Sequence, residues 1–345
     1  MSIMLKEIEH EPVAVKRCLE ENTETIEKLV EAIKRENITS LFIAARGTSY
    51  HASVYAKYIT EYMIGLPVSL AAPSIFTLYD GHVNLKNSLV IGVSQSGKAE
   101  DVLEVLRNAN KQGALTVGIT NSVGSPIATE AKYHLYCAAG EEISVAATKT
   151  FTTQMLLFAT LSAYWSGNRG LMSELESLPD KISRTLEMME NINDLVKKYK
   201  DMEECFVLAR GVNYAIALET ALKIQETSYI RAKGFAISDF AHGPIAMIDK
   251  KIPVIIYAPE GQSLNNALSM IERLKEEDIE LIIVTNSRKL SDHENNIVMI
   301  PETQNDIISP FYNAVFAQMF ACKLSLARGL NPDKPRMLQK VTITR

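Results

Sequence analysis

Apolar runs of four to eight residues, at 40–45, 88–93 and 115–120, alternate with stretches of helical period at 50–64, 99–112 and 148–166. A strand covered on both faces reads as a continuous apolar run, whereas a helix lying on a sheet shows apolar residues every three to four positions. The alternation therefore predicts βαβ units and a parallel sheet with helices on both faces. The pattern then recurs. A helical segment is expected at 171–200, strands at 205–209, 252–257 and 280–285, a helix carrying Glu219, Lys223 and Glu226, and a long helix at 307–328. Beyond Gly329 the sequence LNPDKPRMLQKVTITR carries two prolines and no helical period, which predicts an extended arm.

The recurrence is a duplication. Leu41-Phe42-Ile43-Ala44-Ala45-Arg46-Gly47-Thr48-Ser49-Tyr50 matches Cys205-Phe206-Val207-Leu208-Ala209-Arg210-Gly211-Val212-Asn213-Tyr214 at an offset of 164. Near that offset Val90-Ile91-Gly92-Val93 falls on Val254-Ile255-Ile256-Tyr257, Gly97 on Gly261, and Thr120-Asn121-Ser122 on Thr285-Asn286-Ser287. Three aligned strand-like runs are hard to obtain by chance. The fold class is accordingly α/β, with a first half at 1–168, a second at 169–329 and a tail at 330–345. Open α/β sheets bind ligands beyond the carboxyl ends of their strands, and the duplicated halves are expected to share one such cleft.

Two sets of residues suggest chemistry. Glu219, Lys223 and Glu226 stand at i, i+4 and i+7 of a helix and so share one face. That spacing also suits a solvated face with an ordinary Glu-Lys pair. Small or apolar neighbours (Ala217, Leu218, Ala221, Leu222, Ile224) and His242 before Gly243-Pro244 in the following loop favour an acid/base site for a small polar substrate. The second set is Ser94-Gln95-Ser96-Gly97, between a strand and a helix, with Gly47-Thr48-Ser49 after a parallel strand. Backbone N–H groups, hydroxyls and a helix N-terminus suit a phosphate monoester; helix capping by Ser and Thr is the alternative use of the same residues. The second half carries Ala258-Pro259-Glu260-Gly261 at the matching position, which suits no phosphate, so one half keeps the anchor and the other the acid/base groups. Neither a Walker A loop nor a dinucleotide fingerprint is present.

Composition narrows the classes further. With 345 residues, 47% apolar and 22% charged, the chain is globular and long enough for two domains. A net charge of -5 with no basic block argues against nucleic acid. Cys18, Cys137, Cys205 and Cys322 form no CxxC pair, and His10, His51, His82, His134 and His293 have no ligand spacing, so each histidine is read as a surface or cap residue. No metal or organic cofactor is expected. The start MSIMLKEIEHEPVAV has no signal-peptide core, and the longest apolar stretch, 155–165, falls short of a bilayer span, so a cytoplasmic protein without membrane contact is expected.

Taken together, ARGTS at 45–49, SQSG at 94–97, GEEISVAATKTFTTQ at 140–154, ALETALKIQETSYI at 217–230, HGP at 242–244 and PRMLQK at 335–340 resemble the tandem sugar isomerase (SIS) domains that form the isomerase half of the glucosamine-6-phosphate synthase family. The resemblance covers nearly the whole chain. It implies two parallel, flavodoxin-like sheets. It assigns Gly47, Thr48, Ser49, Ser94, Gln95, Ser96 and Gly97 to the sugar phosphate, and Val145 and Ala147 to the sugar site. It makes Glu226 the proton carrier between the first two sugar carbons, with Lys223 beside it, His242 the ring opener and Lys340 the amine that forms a Schiff base. It also implies a homodimer in which the histidine comes from the neighbouring subunit.

The departures point to a different reaction. The family's glutaminase domain begins with a cysteine after the initiator, whereas this sequence starts Met1-Ser2-Ile3 and enters the sugar domain, so no ammonia source is expected. Gln225, Ala99 and Ala147 stand where the family has a lysine, a threonine and a serine. The expected function is a phosphosugar isomerase and deaminase that converts glucosamine 6-phosphate to fructose 6-phosphate and ammonia. A deglycase for fructosamine-type phosphates and a sugar-phosphate sensor are the alternatives; a sensor needs the anchor but not the acid/base set.

Overall fold

A computed structural model gives the structure and describes residues 2–190, 192–290 and 296–340. His293 and the last five residues of the tail lie outside the described residues. The chain forms two compact units. One, the first-sheet unit, holds His10–Glu142, Lys149–Pro179 and Leu338–Arg345; the other, the second-sheet unit, holds Met1–Glu9, Ile143–Thr148 and Asp180–Met337.

In chain order, α1 (Ile3–Glu9) belongs to the second-sheet unit and α2 (Glu11–Arg35) opens the first. Then come β1 (Ser40–Ala44), α3 (Gly47–Ile64), β2 (Val68–Leu70), α4 (Ser74–Thr77), β3 (Ser88–Ser94), α5 (Glu100–Lys111), β4 (Leu115–Thr120), α6 (Pro126–Glu130), β5 (Tyr133–Tyr136), α7 (Lys149–Ser166) and α8 (Arg169–Glu176). The strands are all parallel, in the order β2-β1-β3-β4-β5. β3 and β4 are buried along nearly their whole length, which is why they read as unbroken apolar runs. Helices α2 and α3 pack on α7, whose residues 149–163 are all buried; the apolar stretch at 155–165 lies in this helix. No described helix is long and apolar enough to cross a membrane.

The expected helical segment at 171–200 is broken into α8, α9 (Leu178–Met188) and α10 (Asn193–Tyr199). Then follow β6 (Glu204–Ala209), α11 (Tyr214–Ser228), β7 (Arg231–Ala236), α12 (Ile237–Ala241), β8 (Val254–Tyr257), α13 (Leu264–Glu276), β9 (Leu281–Thr285), β10 (Asn296–Met299) and α14 (Ser309–Ala327). Read from β7, the second sheet runs β7-β6-β8-β9-β10, which is the first sheet's order repeated strand for strand. The duplication in sequence is thus a duplication of topology. Past Gly329 the described residues form turns and bends with no helix or strand, in keeping with the missing helical period; no extended segment is assigned there.

One glycine fixes how the acid/base helix lies on its sheet. A β-carbon at Gly234 of β7 would meet the Ala217 carbonyl oxygen of α11 at 2.6 Å, so only a residue without one lets α11 approach so closely.

Candidate active site

The first-sheet unit has its topological switch between β1 and β3, where one connection runs to β2 and the other toward β4. Both predicted phosphate loops sit there, at adjacent strand ends. Gly47 (φ +52°) opens α3, so Thr48 and Ser49 lie in that helix's first turn rather than in a separate loop. Ser49 is buried and accepts a hydrogen bond from Gln154 Nε2 at 3.1 Å. After β3, the Gly97 N–H donates to the Ser94 carbonyl and hydroxyl at 3.1 and 3.2 Å, and the Lys98 N–H to Ser96 Oγ at 3.3 Å. The residues at the N-cap positions of α3 and α5, Arg46 and Ala99, make no side-chain capping bond. The serine hydroxyls therefore brace the turn ahead of α5 rather than cap it, which weakens the capping alternative. Arg46 Nε bonds the buried Asp101 carboxylate at 2.7 Å and ties the two loops together.

Gly97 is the tightest point of this arrangement. Its φ of +66° disfavours any β-carbon, and one built there would lie 2.0 Å from Ser125 Oγ. Gly97→Ala is expected to cost about 1–3 kcal/mol and to displace the turn. Steady-state kinetics on a phosphorylated sugar should show a raised KM with kcat little changed; an unchanged KM would mean that the turn holds no phosphate.

Lys340 of the tail belongs to the same unit, where its ammonium bonds Glu142 Oε2 at 2.8 Å. Glu142 is fully buried and also accepts from the Thr150 N–H (3.0 Å) and hydroxyl (2.8 Å) at the start of α7. This carboxylate was not singled out from the sequence, although it stands in the quoted motif, because its partner lies 198 residues away.

In the second-sheet unit α11 gathers the three ionisable residues, and the spacing's alternative reading as a solvated face is overturned by burial. Lys223 and Glu219 side chains are each 1% exposed; Glu226 is 22% exposed and is the member of the three that reaches solvent. Lys223 Nζ lies 2.6 Å from Glu226 Oε2 and 3.3 Å from Glu219 Oε1. Burial alone would lower the Lys223 pKa, but the two carboxylate charges and their hydrogen bonds outweigh it and hold the ammonium well above the ordinary lysine range. The result is a fixed cation that keeps one oxygen of Glu226 oriented. His242 ends α12 with its N–H on the Asp239 carbonyl and its side chain exposed. Val145 and Ala147 are half-buried, and the Val145 N–H is held by the Asp333 carbonyl at 3.1 Å. Asp333 in turn accepts from the N–H groups of Ile3 and Met4.

The matching turn of the second sheet, after β8, is filled from within. Asp306 accepts from the Gln262 N–H (3.1 Å) and Ser263 Oγ (3.2 Å), and a β-carbon on Gly261 would touch it at 2.4 Å. Burial pushes the Asp306 carboxyl above its usual range, against the pull of those bonds. Glu260 is held by Ser287 Oγ. A carboxylate thus sits at this turn, as the Pro259-Glu260 substitution suggested. Among the remaining histidines, His134 departs from the surface-or-cap reading: it is half-buried in β5 with Nε2 2.9 Å from Thr120 Oγ1. The four cysteines are free and buried.

The SIS domain model matches residues 35–163 and 198–328. Over 339 residues the chain is 38% identical to the glutamine–fructose-6-phosphate aminotransferase (isomerizing) of Methanothermobacter thermautotrophicus, covering 98% of this chain and 56% of that protein. The enzyme of the same name from Aquifex aeolicus is 37% identical over 344 residues, 99% of this chain and 57% of its own length. The chain thus spans little more than half of these curated relatives. Among solved structures, the C-terminal domain of glucosamine-fructose-6-phosphate aminotransferase from Francisella tularensis superposes with a TM-score of 0.87 at 27% identity, covering 97% and 98% of the two chains. Glucosamine-6-phosphate deaminase from Thermotoga maritima gives 0.79 at 21% identity, covering 99% of each, a likeness of fold alone.

Proposed function

The chain belongs to the SIS domain family of phosphosugar isomerases, and from that premise we propose that it deaminates an aminosugar phosphate, glucosamine 6-phosphate with water giving fructose 6-phosphate and ammonia. The observation that carries the reading is the buried Lys223 locked between two carboxylates, of which Glu226 alone is open to a substrate. In this reading the turns at 47–49 and 94–97 hold the phosphate, and His242 passes a proton to the ring oxygen as the pyranose opens. Glu226 removes the proton from C2 of the open-chain aldose and returns it to C1. That leaves an imine at C2 of the ketose. Water adds to the imine carbon, one of its protons passing to the nitrogen to give a carbinolamine; the C–N bond then breaks as the new hydroxyl gives up the second proton, leaving the C2 carbonyl and ammonia. Lys340 is the amine that can exchange with the imine, forming and releasing a Schiff base with the ketose. His242 is proposed to act from the neighbouring subunit of a homodimer, and a reducing, cytoplasmic setting suits the four free thiols.

A larger leaving amine is the second reading, as in a fructosamine-type deglycase. It rests on Gln225 and Ala147, which stand where the family has a lysine and a serine; the Gln225 amide bonds the Ala232 carbonyl (2.5 Å), and the cleft of about 590 Å³ that Gln225 borders lies at the start of β6, away from Glu226. The deciding experiment incubates the purified protein with glucosamine 6-phosphate and measures ammonia and fructose 6-phosphate together. Equal amounts of both are expected. Release of an amino acid from a fructosamine phosphate without ammonia from glucosamine 6-phosphate would select the deglycase. Binding of either sugar without product would leave a sensor.

A further inference from the structure

A second cavity of the second-sheet unit, about 260 Å³, lies beyond the end of β6 between α12 and α13. Its polar wall is made by Arg210, Ser238, Asn266, Ser269 and Arg273. It is smaller than the ~300–1,000 Å³ typical of drug-sized ligands, so it suits a small group.

The duplication tells how it acquired its charge. The buried positions Val102, Val105, Leu106 and Ala109 of α5 correspond to Ala267, Met270, Ile271 and Leu274 of α13, 165 positions later, which sets the register of the two helices. In that register Asp101 corresponds to Asn266, Glu104 to Ser269 and Asn108 to Arg273, while Arg46 corresponds to Arg210. In the first-sheet unit Arg46 is neutralised by the buried Asp101 at 2.7 Å. In the second, both of those positions are neutral and a second guanidinium, Arg273, stands where the first has Asn108. Arg210 bonds a hydroxyl, Ser238 Oγ, at 2.6 Å, in place of a carboxylate. Asp239, which accepts from that hydroxyl at 3.3 Å, is exposed and outside the wall.

We propose that this cavity binds a phosphate group, held between the guanidiniums of Arg210 and Arg273 with Ser238, Ser269 and Asn266 as further donors. Two arginines lining one cavity, with hydroxyl and amide donors and no carboxylate in the wall, match a tetrahedral dianion, for which arginine forks are well suited. The site is separate from the serine turns of the first-sheet unit and calls on none of the residues assigned to proton transfer.

The test is equilibrium dialysis of the full chain against radiolabelled inorganic phosphate, for the parent protein, Arg273→Glu and Asn266→Asp. Arg273 is exposed on α13, so its replacement leaves the core untouched; Asn266→Asp restores the carboxylate found at Asp101. Each variant is expected to lose one bound phosphate per chain, or to bind it about 10- to 100-fold more weakly, the worth of one charge-assisted hydrogen bond. Gly97→Ala, which acts on the other phosphate site, is expected to leave this phosphate in place. A phosphate count that neither Arg273→Glu nor Asn266→Asp changes overturns the proposal. Repeating the parent titration with glycerol 3-phosphate distinguishes the sources: tighter binding than inorganic phosphate assigns the site to a monoester, weaker binding to the free ion.

Discussion

Glu226→Gln is expected to lower turnover of the aminosugar phosphate by about 10²- to 10⁴-fold, the usual worth of a positioned general acid/base. Glutamine keeps the size of the side chain and an oxygen for the Lys223 ammonium 2.6 Å away, but it cannot take a proton from one carbon and give it to the next. Binding should survive, because the serine turns proposed to hold the phosphate belong to another part of the chain. Hence kcat and kcat/KM should fall together while KM holds. Stability should change by about 1 kcal/mol or less, since Glu226 is partly exposed and Lys223 retains Glu219 as a counter-charge. Stopped assays for ammonia beside a urea melt separate the two effects. A variant that turns over normally would remove Glu226 from the chemistry, and one that fails only because it melts would make the residue structural.

The contrast between the parts of this chain that can be read from sequence and those that cannot has a physical basis. β3, β4, β8 and β9 are central strands buried on both faces, so their sequences are continuous apolar runs and declare themselves. The four edge strands do not. β2 has three residues, β5 and β10 have four each and are half-exposed, and β7 carries exposed Arg231 and Lys233. The period of helix α2 is hidden although Ala14, Val15, Cys18, Ile26, Leu29, Val30 and Ile33 trace its buried side, because many Glu and Lys residues stand between them. The two turns at 47–49 and 94–97 are legible because they are local, a few residues of strand, Gly and hydroxyl. Glu142 was not, since a carboxylate acquires its meaning from a partner that only folding brings to it. The same holds for α11. Spacing placed three ionisable residues on one face, but whether that face meets water or the interior is decided by β7 and α14 packing around it, and Gly234 has no side chain to announce the close approach it allows.

That burial makes Lys223→Met the change with the largest expected cost to the fold. Methionine fills much of the volume, yet it removes the ammonium that faces Glu219, 1% exposed, at 3.3 Å and Glu226 at 2.6 Å. Breaking a buried ion pair from one side costs about 3–5 kcal/mol, because a charge is left behind where water cannot screen it. Of the total stability of an ordinary domain, about 5–15 kcal/mol, this is a fifth or more, so the urea midpoint should fall visibly. The double variant Lys223→Met/Glu219→Gln removes the stranded charge along with its partner and should recover much of the loss. The alkaline limb of the stability curve gives an independent check. The Lys223 pKa in the folded protein is raised above the ordinary 10.5, so folded chains hold this proton to higher pH than unfolded ones. The stabilisation is therefore fully present below about pH 10.5 and is lost as pH rises through the folded value. Buried Tyr55 and Tyr257, whose hydroxyls are also shifted upward, add to the alkaline loss in both proteins, so the part due to Lys223 is the parent curve minus that of Lys223→Met. That difference should be constant from pH 6 to 9 and shrink above about pH 10.5; a difference that grows with alkali would mean that the amine is buried uncharged, and that Glu226 works without a fixed cation at its side.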